Sequence, residues 1–235
     1  MDKQVRIAIL FLLAAAAVAA PVAALLARQE RRMSVSSPEN DRALIEAARR
    51  GDTAQVRLLL RRGASVRATD GDGATALIAA AYGDHLAVAR LLIAAGADVN
   101  VQDRTRQSAY LIPTADGSVE FLRLTLAAGA DVARTDSYNG TGLIHAADRG
   151  HVEVIRELLR TGIAVDHVNR LGWTALLEAI ILGDGGPRHT EVVRLLLAAG
   201  ADVNLADRDG VTPLTHAQRR RQSAIATMLR EAGAR

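Results

Sequence analysis

Six histidines are the residues of this sequence best suited to chemistry: His85, His145, His151, His167, His189 and His216. Imidazole is a common metal ligand and titrates near neutral pH. Their spacing argues against a metal or catalytic centre. No two stand four residues apart, the interval that lets one helix offer two nitrogens to a zinc ion. There is no cysteine, which excludes disulfides, thiolate nucleophiles and cysteine-bound zinc or iron–sulfur clusters. No Gly-x-Ser-x-Gly elbow occurs. Gly183-Asp184-Gly185-Gly186-Pro187 lacks the Lys-Ser/Thr ending of a phosphate loop. Asp70-Gly71-Asp72-Gly73 sets two carboxylates at calcium-loop spacing without the rest of that loop, and reads as a turn that caps a helix. No base, nucleophile and oxyanion site assemble, so the expectation is a chain that is not an enzyme and holds no cofactor or metal.

The elements that position these residues repeat. RLLLAAGADVN at 194–204 recurs as RLLIAAGADVN at 90–100 and as LTLAAGADV at 124–132. Gly63, Gly96, Gly129, Gly162, Gly200 and Gly233 close successive copies, at spacings of 33, 33, 33, 38 and 33 residues. A fixed period of this kind marks a solenoid whose units bury their apolar faces on one another, here with one five-residue insertion. Aromatics make up only 3% of the chain, so Ala, Leu, Val and Ile must supply the core. The formal charge of +3 is too small for a concentrated basic face, and no nucleic-acid partner is expected.

Within each unit the physics is local. Thr75, Ser108, Thr141, Thr174 and Thr212 share one phase, where a hydroxyl caps a first helix. Gly73, Asn139, Gly172 and Gly210 stand two residues earlier, where the turn needs positive φ. Paired alanines such as Ala80-Ala81 and Ala146-Ala147 let neighbouring helices approach closely, and a leucine-rich second helix ends at the closing glycine. His85, His151 and, once the insertion is removed, His189 share a phase at the start of the second helix. Arg42, Arg49, Arg50, Arg57, Arg61 and Arg62 at one end, and Arg219-Arg220-Arg221 at the other, read as solvated faces of terminal caps. The third unit departs from the pattern, with Arg106 at the turn-glycine phase, Tyr110 at a leucine position and Thr125 in the core. Pro113 inside its first helix predicts a short or kinked segment. This is either drift that the neighbours compensate or a flexible joint.

The motifs DGDGATALIAAA at 70–81, NGTGLIHAADRGHVEVIRELL at 139–159 and DRDGVTPLTHA at 207–217 resemble the ankyrin repeat over about residues 39–235. The last keeps Thr-Pro-Leu at 212–214, with Thr215 where the family's histidine usually sits. The resemblance implies an all-α solenoid of six helix–turn–helix units joined by short β-turn or hairpin connections. The units fall at about 39–69, 70–102, 103–135, 136–168, 169–206 and 207–235. It also implies a monomeric protein-binding scaffold that grips through its turn tips and the exposed ends of its first helices. On that concave face the resemblance places Tyr138, Arg149, Arg170, Leu171, Trp173, Ile181, Leu182 and Arg208. The insertion, Asp184 to Arg188, either joins them or folds over Ile181 and Leu182.

Residues 7–27 carry no charge, and Lys3 and Arg6 precede them. Two readings stand: a signal peptide cut after Ala17-Val18-Ala19, or an uncleaved hydrophobic helix that anchors the chain. Both put the repeats in the periplasm, soluble or held at the inner membrane, behind a polar linker at 28–38. Arg28, Arg31 and Arg32 just after the run pull towards a cytoplasmic arrangement instead. The chain resembles stand-alone exported bacterial ankyrin proteins, some of them linked to oxidative-stress protection. A host-directed effector and histidine-based metal handling are the alternatives.

Overall fold

The computed structural model describes residues 37–235. The expected signal or anchor at 1–27, and the linker before Ser37, lie outside the described residues. Among those described, no helix is long and apolar enough to cross a membrane.

Twelve helices fill the described residues in successive pairs: α1 (Pro38–Arg49) and α2 (Thr53–Arg61), α3 (Ala76–Tyr82) and α4 (Leu86–Ala94), α5 (Leu111–Asp116) and α6 (Val119–Ala127), α7 (Gly142–Arg149) and α8 (Val152–Leu159), α9 (Ala175–Ile181) and α10 (Pro187–Ala198), α11 (Pro213–Arg219) and α12 (Ser223–Glu231). Each first helix packs on its own second helix and on the first helices before and after it, and the second helices form a parallel row. This is an all-α solenoid with no strand among the described residues. The hairpin-like turns leave only isolated bridges, Thr69 to Thr75 and Gln102 to Ser108.

The caps explain where helices start. Thr75, Thr174 and Thr212 accept from the backbone N–H three residues on at 3.2 to 3.3 Å. Thr141 departs from the expectation: its hydroxyl is buried and makes no hydrogen bond. In the first pair Arg42 lies inside α1, because Ser37 caps that helix a turn earlier and Pro38 occupies its first position. The turn phase holds positive φ throughout, including Arg106 at 61° and Asn139 at 59°. The arginines of both terminal runs are exposed, as solvated caps require.

Two departures have clear causes. α5 begins two residues later than its counterparts, so Pro113 is its third residue, where an N–H would have no helical partner. No hydrogen bond is lost, and the helix is short rather than kinked. The insertion projects little: α10 starts at Pro187 behind Gly186 and runs 12 residues, against 9 in α4 and α6.

Candidate protein-binding site

An Asp or Asn five residues before each cap organises the turns. One side-chain oxygen of Asp70, Asp103, Asp136, Asn169 and Asp207 accepts from two backbone amides of its own turn, at 2.7 to 3.0 Å. The second polar atom turns towards the helices, and its partner changes along the stack. Arg49 donates to Asp70 Oδ2 at 2.7 Å, and the Tyr82 hydroxyl donates to Asp103 Oδ2 at 2.9 Å. His216 Nε2 meets Asp207 Oδ2 at 2.7 Å. His145 Nε2 lies 3.4 Å from Asp136 Oδ2 but makes no hydrogen bond. In the fifth pair the polarity is reversed, because the Asn169 amide donates to Glu178 Oε1 at 2.7 Å.

This reversal sits beside a recess of about 230 Å³ between the fourth and fifth pairs. Asp136, His145, Asp148, Asn169 and Glu178 line it, with Ile144 on its wall and Tyr138, Leu171 and Leu182 at its mouth. Those three mouth residues are 64%, 50% and 50% exposed, large values for apolar side chains. Burial pushes the Glu178 carboxyl up to about 7, with the Asp148 and Asp136 charges adding to the rise and the Asn169 amide and His145 opposing it. Burial also acts to raise Asp136, but His145 and the Gly140 and Tyr138 amides outweigh it and hold that carboxyl below its usual range.

The structure therefore gathers three of the expected face residues, Tyr138, Leu171 and Leu182, around one opening. Trp173 and Ile181 are half-buried, while Arg149, Arg170 and Arg208 are exposed. Arg208 packs across the fifth turn, with its Cγ against the point where a Cβ on Gly172 would stand. Asp184 and Arg188 lie elsewhere. Asp184 accepts from the Gly186 amide and faces His189 Nδ1, both at 2.8 Å, and those two interactions lower its pKa. Arg188 borders a separate hollow beside His151 and Gly117. The insertion leaves Leu182 half exposed and so does not cover it.

Glu178 is the member that histidine spacing misses. It stands four residues past its cap, as His145 and His216 do, and a search for histidines passes over it. The signal was available in Asn169, the one amide in a phase otherwise held by Asp70, Asp103, Asp136 and Asp207. The second-helix histidines have a structural task. His85, His151 and His189 each set Nε2 against a carbonyl of the preceding pair, Arg49, Ala115 and Asp148, at 2.9 to 3.1 Å. Gln222 occupies the same phase and donates to Ile180 and Gly183 carbonyls at 3.0 and 3.2 Å. Among the described residues no three His, Asp or Glu side chains form a metal-holding group.

Known proteins give a consistent picture. The chain is 48% identical to a crystal structure of an ankyrin repeat domain from Acinetobacter baumannii, with a TM-score of 0.79 over 82% of this chain and 98% of that one. It is 34% identical to the crystal structure of the ankyrin repeat protein EF0377, with a TM-score of 0.77 over 82% of this chain and 98% of that one. No curated protein matches. A model of three ankyrin repeats matches residues 11–103 and 111–207, and a model of many ankyrin repeats matches 187–230. Its helix pairs, its capped turns and these matches together show that the chain belongs to the ankyrin-repeat family, whose repeats imply a protein-interaction scaffold.

Proposed function

We propose that this protein is a non-catalytic scaffold that grips another protein through the turn tips and first-helix ends of its fourth to sixth repeats, counting each helix pair as one of six. The observation that carries the reading is the grouping of Tyr138, Leu171 and Leu182, all at least half exposed, around one recess. Clustered exposed apolar groups mark contact sites, and aromatic and arginine anchors dominate interface energetics. Tyr138, Arg149, Arg170 and Arg208 supply such anchors within the same three repeats.

The scaffold acts outside the cytoplasmic membrane, as a monomer, exported or tethered through residues 7–27, and its resemblance to exported ankyrins favours a part in stress protection over a host-directed effector. Two measurements test this. A pull-down with the full chain is compared with a Tyr138→Ala, Leu182→Asp double variant, whose substitutions lie on exposed side chains and spare the core. A partner held by the wild type and lost by the folded variant is the expected result, and identical partner sets sink the binding face. Cell fractionation places the chain in the periplasm or inner membrane; recovery only from cytoplasm removes the export reading, and delivery to the medium favours the effector.

A further inference from the structure

We propose that the recess between the fourth and fifth repeats is a seat for an arginine side chain of the bound protein, its guanidinium facing Glu178, Asp148 and Asp136 and its stem lying against Leu171 and Leu182. The inference rests on the scaffold reading and adds the chemistry of the partner.

Charge comes first. Three carboxylates line the recess, and no lysine or arginine does. Arg149 reaches Asp148 Oδ2 at 3.1 Å from outside, with a side chain 66% exposed, a pairing of little worth in solvent. Glu178 is a second, independent observation. The residue is only 4% exposed, and its one hydrogen bond, from Asn169, goes to Oε1, so Oε2 is open to a group entering the recess that Glu178 lines.

The chain itself shows what such a seat takes. Seven residues past the cap phase stand Arg49, Tyr82, Ala115 and Asp148 in successive repeats. Arg49 bridges Glu46 of its own helix and Asp70 of the next turn. Tyr82 sends its hydroxyl to Asp103 of the next turn. At this position the fourth repeat places a carboxylate, Asp148, so the recess gains an acceptor where the first two repeats supply a donor. Arginine fits better than lysine. Its guanidinium is less strongly hydrated, forks between carboxylates, and stacks on an aromatic face such as Tyr138 at the mouth.

The test uses the full chain and the peptide acetyl-Leu-Arg-Leu-amide, with citrulline, lysine and glutamate analogues, read by NMR of side-chain carboxyl carbons. The arginine peptide shifts the Glu178 signal and lowers its titration midpoint. The neutral citrulline analogue binds about tenfold weaker or worse. Glu178→Gln, which keeps the shape and the Asn169 bond, and Asp148→Asn each weaken the arginine peptide by a similar factor while leaving the citrulline analogue unchanged. Equal binding of the arginine and citrulline peptides, arginine binding indifferent to Glu178→Gln, or no shift at roughly millimolar peptide overturns the proposal. A lysine analogue that binds as tightly overturns the guanidinium assignment. These peptides probe the recess alone. Their failure beside an intact pull-down contrast removes only the arginine seat, and their success beside unchanged partner sets removes the scaffold reading at these repeats.

Discussion

The hydroxyl of Tyr110 lies 2.8 Å from the point where a Cβ on Gly142 would stand. Tyr110, fully buried, fills a position held by leucine in other repeats, and Gly142 stands where Ala76, Ala109 and Ala175 begin their segments. The oversized ring in one repeat is accommodated by the missing methyl in the next. Gly142→Ala should therefore destabilise by about 1–3 kcal/mol through overpacking, despite alanine's better helix propensity. Tyr110→Leu in the Gly142→Ala background should recover part of the loss, giving a coupling of about 0.5 kcal/mol or more in urea unfolding. Additive effects would show that the two positions do not share this space. Thr114 Cγ2, 2.9 Å from the same point, limits recovery to a part.

Glu178 sets a pH dependence of unusual direction. The folded chain keeps its proton up to about pH 7, whereas the ordinary value is 4.5. Between these values the folded state binds more protons than the unfolded one, so stability falls as pH rises. Above both, the buried charge is a loss of about 1–3 kcal/mol. Glu178→Gln should match the wild type near pH 4 and exceed it by about that amount near pH 8, measured as unfolding free energy across pH. The lowered carboxyls of Asp70, Asp136 and Asp207 act elsewhere: their contribution is present above about pH 4 and is lost on further acidification. A constant offset between variant and wild type would mean that Glu178 titrates normally.

The histidine contacts between repeats predict a substitution pattern that a metal site would not share. His151→Ala removes the 2.9 Å contact to the Ala115 carbonyl and should destabilise by about 1 kcal/mol. His151→Gln should restore most of that, because Gln222 makes the same kind of contact in its own repeat. Thermal unfolding of the two variants decides it, and equal losses would assign the effect to packing against Gly117.

Much of this fold is legible in the residues themselves. The closing glycines, the turn phase and the capping hydroxyls each encode a backbone requirement that tolerates few side chains. That is why Asn139 reads as a positive-φ residue from the sequence, while Arg106, which reads as a departure from the glycine pattern, takes the same conformation in the structure. The recess was harder to see. It depends on a paired exchange, Asp to Asn and His to Glu, nine residues apart, and each half alone reads as drift. A loop length fixes how many residues intervene, not whether they extend the following helix, as Pro187 makes them do here, so Arg188 borders a different hollow from Leu182.

Pro113→Ala distinguishes an interior proline from one in a first turn. A proline in the middle of a helix costs roughly 3 kcal/mol, so its removal there would be a large gain. At the third residue of α5 its ring displaces no helical hydrogen bond, and alanine instead frees the unfolded chain. The expected change is neutral or a loss of up to about 1 kcal/mol.

The third repeat is also where the core divides. Ala109, Ile112 and Phe121 pack with the first two repeats, and Tyr110, Leu111 and Leu122 pack with the last three. α5, six residues long, is the shortest helix among the described residues and bridges the two clusters. Opening costs least where few internal hydrogen bonds must break and the apolar contacts are shared between two bodies. Backbone amides at 111–118 should thus exchange faster than those of α3 and α7, while both flanking cores stay protected, a signature of a joint between them. Exchange uniform from α3 to α7 would mean that the neighbours have absorbed Arg106, Tyr110 and Pro113 completely, and that the six repeats move as one body.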